Sequence, residues 1–466
     1  MSDDTPHSHS DVPGESELKW NEGITGYQWL VLVVASLGWV FDVFEGQIFV
    51  ASMRDAMPQL LGERSADASI VATWNNYALA SFLLGGACGG ILFGMLSDRI
   101  GRSKTMIITI LFYSVFTCIT AFANAPWQMV ALRFLVAMGV GGEWAVASAM
   151  IAEVMPKRSR PVMGSIFHAS SVFGTLMAVA VGYFVISARP WGDDTWRLGF
   201  LIGIIPAMLV IVIRWKMKEP EQWHQAKERE KQDATQVTGS IPDLFNSQNI
   251  RNTAVGVTLA TIGLVTFWGC HIYGKNVLLR SAQAAALKAE GVESGADETA
   301  KQAALAAHSA ETKRAEMMSM FLNTVGGGLG LVLFGWISNK LGRKGAFIFY
   351  HTGGLVMALL MFQVLIPQNA SVPVLALALP VFGFMTLGMH AGYAVYFPEL
   401  FPTRLRGTGT GFCFNAGRFG TAAAMLIAGN LGWASDQTAL YLAPLYALGI
   451  VVTLAATETR GTELPD

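Results

Sequence analysis

Charge is scarce in this chain. Asp, Glu, Lys and Arg make up 14% of its 466 residues, against roughly 25% in ordinary soluble domains. Net charge is nearly absent too: 33 acidic residues stand against 32 basic ones, for a balance of -1. Such a chain has no electrostatic footprint for a nucleic acid. Cysteine is rare, and Cys88, Cys118, Cys270 and Cys413 lie far apart in apolar stretches. No C-x-x-C pair or nearby His/Asp cluster accompanies them, which excludes a disulfide framework and a zinc site. They read as small buried hydrophobes. There is no phosphate-cradling loop, so nucleotide hydrolysis is not the energy source. A membrane-embedded enzyme would need a nucleophile or metal cluster near a membrane face, and none is found. The first 26 residues are polar and acidic and the first apolar run is long, which does not fit a cleavable signal peptide. They read as a disordered tail.

Apolar residues, at 52%, are what the chain has in excess, and the surface of soluble domains could not hide them. A bilayer core about 30 Å thick takes about 20 residues of helix. Twelve runs fit: 27–50, 74–97, 105–123, 127–151, 162–187, 196–214, 252–274, 317–338, 345–366, 373–397, 407–430 and 437–457. With both termini in the cytoplasm, the cytoplasmic segments hold 20 Lys and Arg and the outer segments 10, the asymmetry that sets orientation. The expected organisation is an N-terminal tail (1–26), a six-helix bundle (27–214), a central cytoplasmic loop (215–251), a second six-helix bundle (252–457) and a C-terminal tail (458–466). An outer insertion, 275–316, carries thirteen alanines with six acidic and six basic residues; its composition favours helix, as a solvated spacer or as a lid.

The two bundles repeat each other. Gly94-Met-Leu-Ser-Asp98-Arg99-Ile-Gly101-Arg102-Ser-Lys104 ends span 2, and Gly335-Trp-Ile-Ser-Asn339-Lys340-Leu-Gly342-Arg343-Lys344 ends span 8. Glu153-x-x-Pro156-x-x-x-Arg160 follows span 4, and Glu399-x-x-Pro402-x-x-x-Arg406 follows span 10. Glu219 and Glu458 stand at a similar offset after spans 6 and 12. Repeated bundles of this kind bind substrate between the halves and rock against each other. The Gly turns, Asp98 and the basic clusters are then a cytoplasmic gate, a latch of charge pairs and helix ends. In the second copy Asn339 replaces the carboxylate, so that latch is weaker.

The G-x-x-x-D-R-x-G-R-x-K loop, its degenerate second copy and the Arg133-Phe-Leu-Val-Ala-Met-Gly139-Val-Gly141-Gly142 span resemble the major facilitator superfamily. Gly141-Gly142-Glu143-Trp144 followed by Glu153-x-x-Pro156 is similar to its proton symporters of organic acids, the sialate, lactate and aromatic-acid branches. The aromatic-acid branch typically carries Asp-Gly-aromatic-Asp in span 1, where this chain has Asp42-Val-Phe-Glu45. The resemblance implies an all-α fold of twelve transmembrane helices in two pseudo-symmetric bundles, a monomer in the inner membrane, and carboxylate transport driven by a proton gradient without a cofactor.

Ionisable groups inside a bilayer are costly and mark function by default. Asp42 and Glu45, at i and i+3, share one helix face. They lie at about the depth of Arg133, about 9–12 Å below the outer surface. Two readings follow: a carboxylate that takes a proton when it parts from Arg133, or a permanent ion pair that orders the bundle. The resemblance implies the first. Glu143 and His168 share a second level, either as a relay, since imidazole titrates near neutral pH, or with Glu143 capping a Gly-rich crossing. His271, His351 and His390 stand singly and read as satisfied interior histidines. Arg418 lies near the midplane of a half that has no intramembrane acid. Its planar donors suit a carboxylate, so either the substrate supplies its partner or cavity water and carbonyls solvate it. Gln47, Asn415, Trp268 and Tyr393 are candidates to complete the pocket. The expected function is proton-coupled symport of a small organic anion; a neutral-solute porter for a sugar or polyol, or a non-transporting sensor, are the alternatives.

Overall fold

A computed structural model describes residues 19–186, 190–292, 297–431 and 435–466, and every regular element among them is helical. Nine of the helical segments are long and apolar enough to cross a bilayer. One of these, Ser309–Leu365, contains two predicted spans, because the chain reverses at Gly342 with a positive φ of 81°. The sixth predicted span is broken into Thr195–Ile202, Ile205–Met208 and Leu209–Lys216 around Pro206, which cannot donate a backbone hydrogen bond. The eleventh is Arg406–Asn430, whose Gly, Thr and Arg content dilutes its hydropathy. With these, the twelve expected spans are all present.

The helix ends follow local chemistry. Thr25 and Gln28 form a capping box at the start of span 1. Asp67 accepts from Ser69 N at 2.8 Å at the head of span 2. Gly101, at φ 114°, lets span 2 (Ala68–Ile100) turn directly into span 3 (Arg102–Thr120). Span 2 carries glycine on two faces. A methyl on Gly85 or Gly89 would overlap the span 4 backbone at Phe134 or Met138, and one on Gly86, Gly90 or Gly94 would overlap span 11. The stripe is close packing, as expected for small residues in membrane helices, and its second face joins the two halves.

The Lys- and Arg-rich face is where the bundles meet. Gly94 lies on Gly407, Gly335 on Pro161 and Val162, and Gly164 on Val395. The central loop is more ordered than its charged composition suggests. It forms a helix, Glu221–Gln232, and Trp223 donates to the Asp98 carbonyl at 2.9 Å. The tails also differ from expectation. Residues 1–18 lie outside the described residues, but Trp20 packs edge-on against Trp336 at 5.5 Å, and Ser159 and Arg158 donate to the Trp20 and Glu22 carbonyls. At the other end Lys157 pairs with Glu463 at 3.1 Å, and Arg406 donates to the Pro465 carbonyl at 2.8 Å. On the opposite face the insertion folds as two helices, Val277–Ala289 and Glu298–Ala307, in line with its alanine content.

Candidate functional site: a latched face and a buried acid pair at the seam

The gate residues converge at the basic face. Asp98, fully buried, accepts from Gly407 N at 3.0 Å, Thr408 N at 2.7 Å and Thr408 Oγ1 at 2.6 Å. It therefore caps span 11 of the other half, where free N–H groups and the helix dipole favour an anion. Arg102 pairs with Asp98 at 2.7 Å and holds Glu153 bidentately at 2.8 and 3.2 Å. Glu153 also takes Arg406 at 2.8 Å, a charge pair across the seam. Arg99 donates to the Gly239 carbonyl of the central loop at 3.2 Å.

The repeat is visible in three dimensions. Arg343 grips Glu399 at 2.8 and 2.9 Å, as Arg102 grips Glu153. Glu219 accepts from the backbone of Arg102, Ser103 and Lys104, and Glu458 accepts from Arg343 and Lys344. A side chain on Gly101 or Gly342 would collide with these carboxylates. The copies differ at Asn339, whose amide nitrogen approaches the Arg158 carbonyl at 3.5 Å. That seam lacks the charged helix cap of the first.

Deeper in the N-terminal bundle the acids divide. Glu45 pairs with Arg133, and Thr117 donates to Glu45 at 3.2 Å while Arg133 donates to Thr120 at 3.0 Å. Phe49 and Phe200 cover the guanidinium, each 4.9 Å from its ring centroid. Asp42 is not part of this pair. It faces Glu143 and Tyr113, and none of the four carboxylate oxygens has a hydrogen-bond partner among the described residues.

Glu143 and His168 do not meet as a relay. His168 Nδ1 lies 3.1 Å from Trp144 Nε1, which can only donate, so Nδ1 carries no proton. Trp39 donates to the His168 carbonyl at 3.2 Å. Trp144 stacks at 4.2 Å on Phe414 of the other half. Arg418 lies 5.6 Å over the same Phe414 ring and above Gly86, with no hydrogen bond or ion pair among the described residues.

The remaining candidates separate. Asn415 is buried beside Gly90; its amide nitrogen donates to Gly411 O at 2.8 Å and its oxygen has no hydrogen-bond partner among the described residues. Tyr393 is committed to the Leu259 carbonyl at 3.1 Å and packs inside the C-terminal bundle, so it does not present its hydroxyl to a ligand. Gln47 is exposed and lies about 140° around the helix from Asp42, away from the acid pair. Trp268 is half-buried and packs edge-on against Phe267 at 5.6 Å. His271 is satisfied as expected, between Thr386 at 2.7 Å and Asn323 at 3.2 Å. His390 is not: its Nε2 is buried without a hydrogen-bond partner among the described residues. Tyr113, Trp39 and Phe414 escaped sequence reasoning, since single aromatics in apolar runs carry no periodic or motif signal.

Residues 29–464 match the model of the sugar (and other) transporter family. The chain belongs to that family. This transporter, a multi-pass membrane protein and not an enzyme, is 28% identical over 430 residues to a probable 4-methylmuconolactone transporter of Cupriavidus pinatubonensis, covering 91% of this chain and 89% of the relative. It is 29% identical to a cis,cis-muconate transport protein of Acinetobacter baylyi, over 76% of this chain and 77% of that one. It is 25% identical to the sialic acid transporter NanX of Escherichia coli, over 94% and 93%. Among solved structures, the proton:xylose symporter XylE superposes with a TM-score of 0.71 at 18% identity, covering 94% of the transporter and 98% of XylE. That likeness establishes the major facilitator fold.

Proposed function

We propose that the transporter is a proton-coupled symporter of small organic anions in the cytoplasmic membrane, with the basic face and both termini inside, working as a monomer. Energy comes from the proton gradient, with no cofactor. Arg418 carries this reading: a cation at the seam of the halves, with no hydrogen bond or ion pair among the described residues, in a half with no acid within its predicted spans. Relatives whose names specify muconate, gentisate and sialic acid support an anionic substrate.

In this scheme the coupling runs through Asp42, Glu143 and Arg418. Asp42 on span 1 and Arg418 on span 11 belong to opposite halves. While Asp42 is ionised, it competes with a substrate carboxylate for Arg418. Two carboxylates facing each other in a dry site do not both remain charged, so Asp42 and Glu143 hold a proton between them, and protonation frees Arg418 for the anion. Proton and substrate then load together. The Glu45–Arg133 pair, closed on all sides, holds the bundle together.

Uptake of labelled carboxylates by proteoliposomes, with and without an imposed pH gradient, tests this. Asp42→Asn is expected to keep exchange and lose uphill accumulation, and Arg418→Lys to raise the half-saturation constant sharply. Gradient-driven accumulation by Asp42→Asn at the wild-type level refutes the coupling. An unchanged half-saturation constant in Arg418→Lys refutes the anion site.

A further inference from the structure

The two gate loops are repeats, but the seams they close are not equivalent. At the first seam Asp98 takes the N–H groups of Gly407 and Thr408. The offset of 246 residues that relates Arg406 to Arg160 also relates these two residues to Pro161 and Val162. Gly335 lies on Pro161 and Val162 as Gly94 lies on Gly407, so the helices meet in the same way. The chemistry of the first latch is gone from both sides: Asn339 stands in place of the carboxylate, and a proline has no N–H to give it.

A second element crosses the first seam. Residues 237–239 of the central loop, just before the C-terminal bundle, are held by Arg404 of that bundle. Its guanidinium donates to the Val237 carbonyl at 3.1 Å, and its own carbonyl accepts from Gly239 N at 2.8 Å. On the other half, at the end of span 2, Arg99 donates to the Gly239 carbonyl at 3.2 Å, and Gly239 packs on the Met95 carbonyl.

The residues just before span 1 repeat this arrangement with the halves exchanged. Arg158, at the position of Arg404, donates to the Glu22 carbonyl, and the adjacent Ser159 donates to the Trp20 carbonyl. Gly23 and Gly239 turn with matching positive φ, 68° and 67°. Across the second seam Trp20 meets Trp336 edge-on, with ring centroids 5.5 Å apart and planes at 81°. Trp336 stands at the position of Met95, by the same offset of 241 residues that relates Asn339 to Asp98. Each segment is thus tied to an arginine of its own half and lies on the gate-helix end of the other.

We infer that residues 20–23 are a gating strap, and that the Trp20–Trp336 pair closes the second seam in place of the Asp98 cap. The inner face is then held by a helix-capping carboxylate at one seam and an aromatic pair at the other. Both part before a solute exchanges with the cytoplasm. Trp20 and Trp336 are positioning residues for transport, acting through the equilibrium between closed and open states. The inference does not depend on the coupling ion or the solute.

The test uses the full-length protein in detergent, with Cys88 and Cys118 replaced by Ser and Val395→Cys as the reporter. Val395 is buried and packs on Gly164 across this seam, so a maleimide reaches the introduced thiol when the halves part, and the labelling rate reads the open fraction. Trp20→Ala should raise that rate about three- to ten-fold, the range set by losing an aromatic pair. Trp336→Met, which restores the residue of the first copy, should do the same from the other half. The double variant should exceed neither single effect, because the rings act as one contact, and Trp20→Phe should stay near wild type. The thermal unfolding temperature should not change. A wild-type labelling rate in both single variants overturns the strap. So does a double variant whose rate is the product of the two single effects. Faster labelling matched by a fall in unfolding temperature assigns Trp20 to stability and overturns the gating role.

Discussion

Asp98→Asn is the sharpest perturbation of the latch. The carboxylate is buried and takes two backbone N–H groups, a hydroxyl and Arg102. An Asn of the same shape keeps one acceptor oxygen and turns an N–H₂ toward donors. At least two bonds to a charged group are lost, at about 1.5–3 kcal/mol each, so the cost is about 3–6 kcal/mol. That agrees with about 3–5 kcal/mol for breaking a buried pair. The bonds to Gly407 and Thr408 exist only while the halves are closed at the basic face, so about half of the loss bears on the conformational equilibrium. About 1.5–3 kcal/mol shifts a two-state population about 10- to 150-fold. Spin labels at exposed Lys104 and Lys340, in a background with Cys88 and Cys118 replaced by Ser, read this as a change from one short distance to a distribution dominated by a longer one. Asn339→Ala removes a single 3.5 Å approach and should leave the distribution close to wild type. If Asp98→Asn gives the wild-type distance distribution, the latch argument fails.

Other expectations concern stability and the site. Arg133→Gln strands Glu45 in a buried site and should cost about 3–5 kcal/mol, read as a large drop in the thermal unfolding temperature in detergent; Asp42→Asn should not lower it. Gly86→Ala puts a methyl into the Arg418 guanidinium, so carboxylate binding is expected to fall while the protein still elutes as a folded species. Gly141→Ala drives a methyl into the Gly86 carbonyl on a rigid backbone and should prevent folding, seen as loss of the monodisperse peak. In the insertion, hydrogen bonds to Glu311 and then Glu290 raise the His308 pKa above its ordinary value. That contribution to order is complete below about pH 6.5 and is lost as pH rises through the raised value. Hydrogen exchange in Glu298–Ala307 should accelerate with pH beyond its intrinsic trend, and His308→Ala should abolish the excess.

Much of the gate was legible in one dimension, because a repeated motif carries its own control. Gly101 and Gly342, Arg102 and Arg343, Glu153 and Glu399 occupy matching positions, and matching positions acquire matching partners. At Asn339, where the repeat has no carboxylate, the side chain makes a 3.5 Å approach to the Arg158 carbonyl. The pairing of the buried acids was less legible. Asp42 and Glu45 share a face by helical spacing, yet they point to different neighbours: Glu45 to Arg133, Asp42 to Glu143. Depth along a helix is a one-dimensional coordinate and cannot tell which neighbouring helix a side chain meets. The same reason misplaced Gln47 and let Tyr393 pass for a ligand-facing residue.

By itself the sequence determined that this chain crosses a membrane about twelve times, in two related halves, with most of its cations on one face. Those properties depend on hydropathy, repeat spacing and charge placement, which are local. Only the tertiary structure decided that the seam is closed on the basic face by Asp98 and the Glu153–Arg406 pair. It alone showed that Arg418 makes no hydrogen bond or ion pair among the described residues, and that Trp144 sets the tautomer of His168. These depend on contacts between helices far apart in the chain, where a rotation of one residue changes which group a side chain meets.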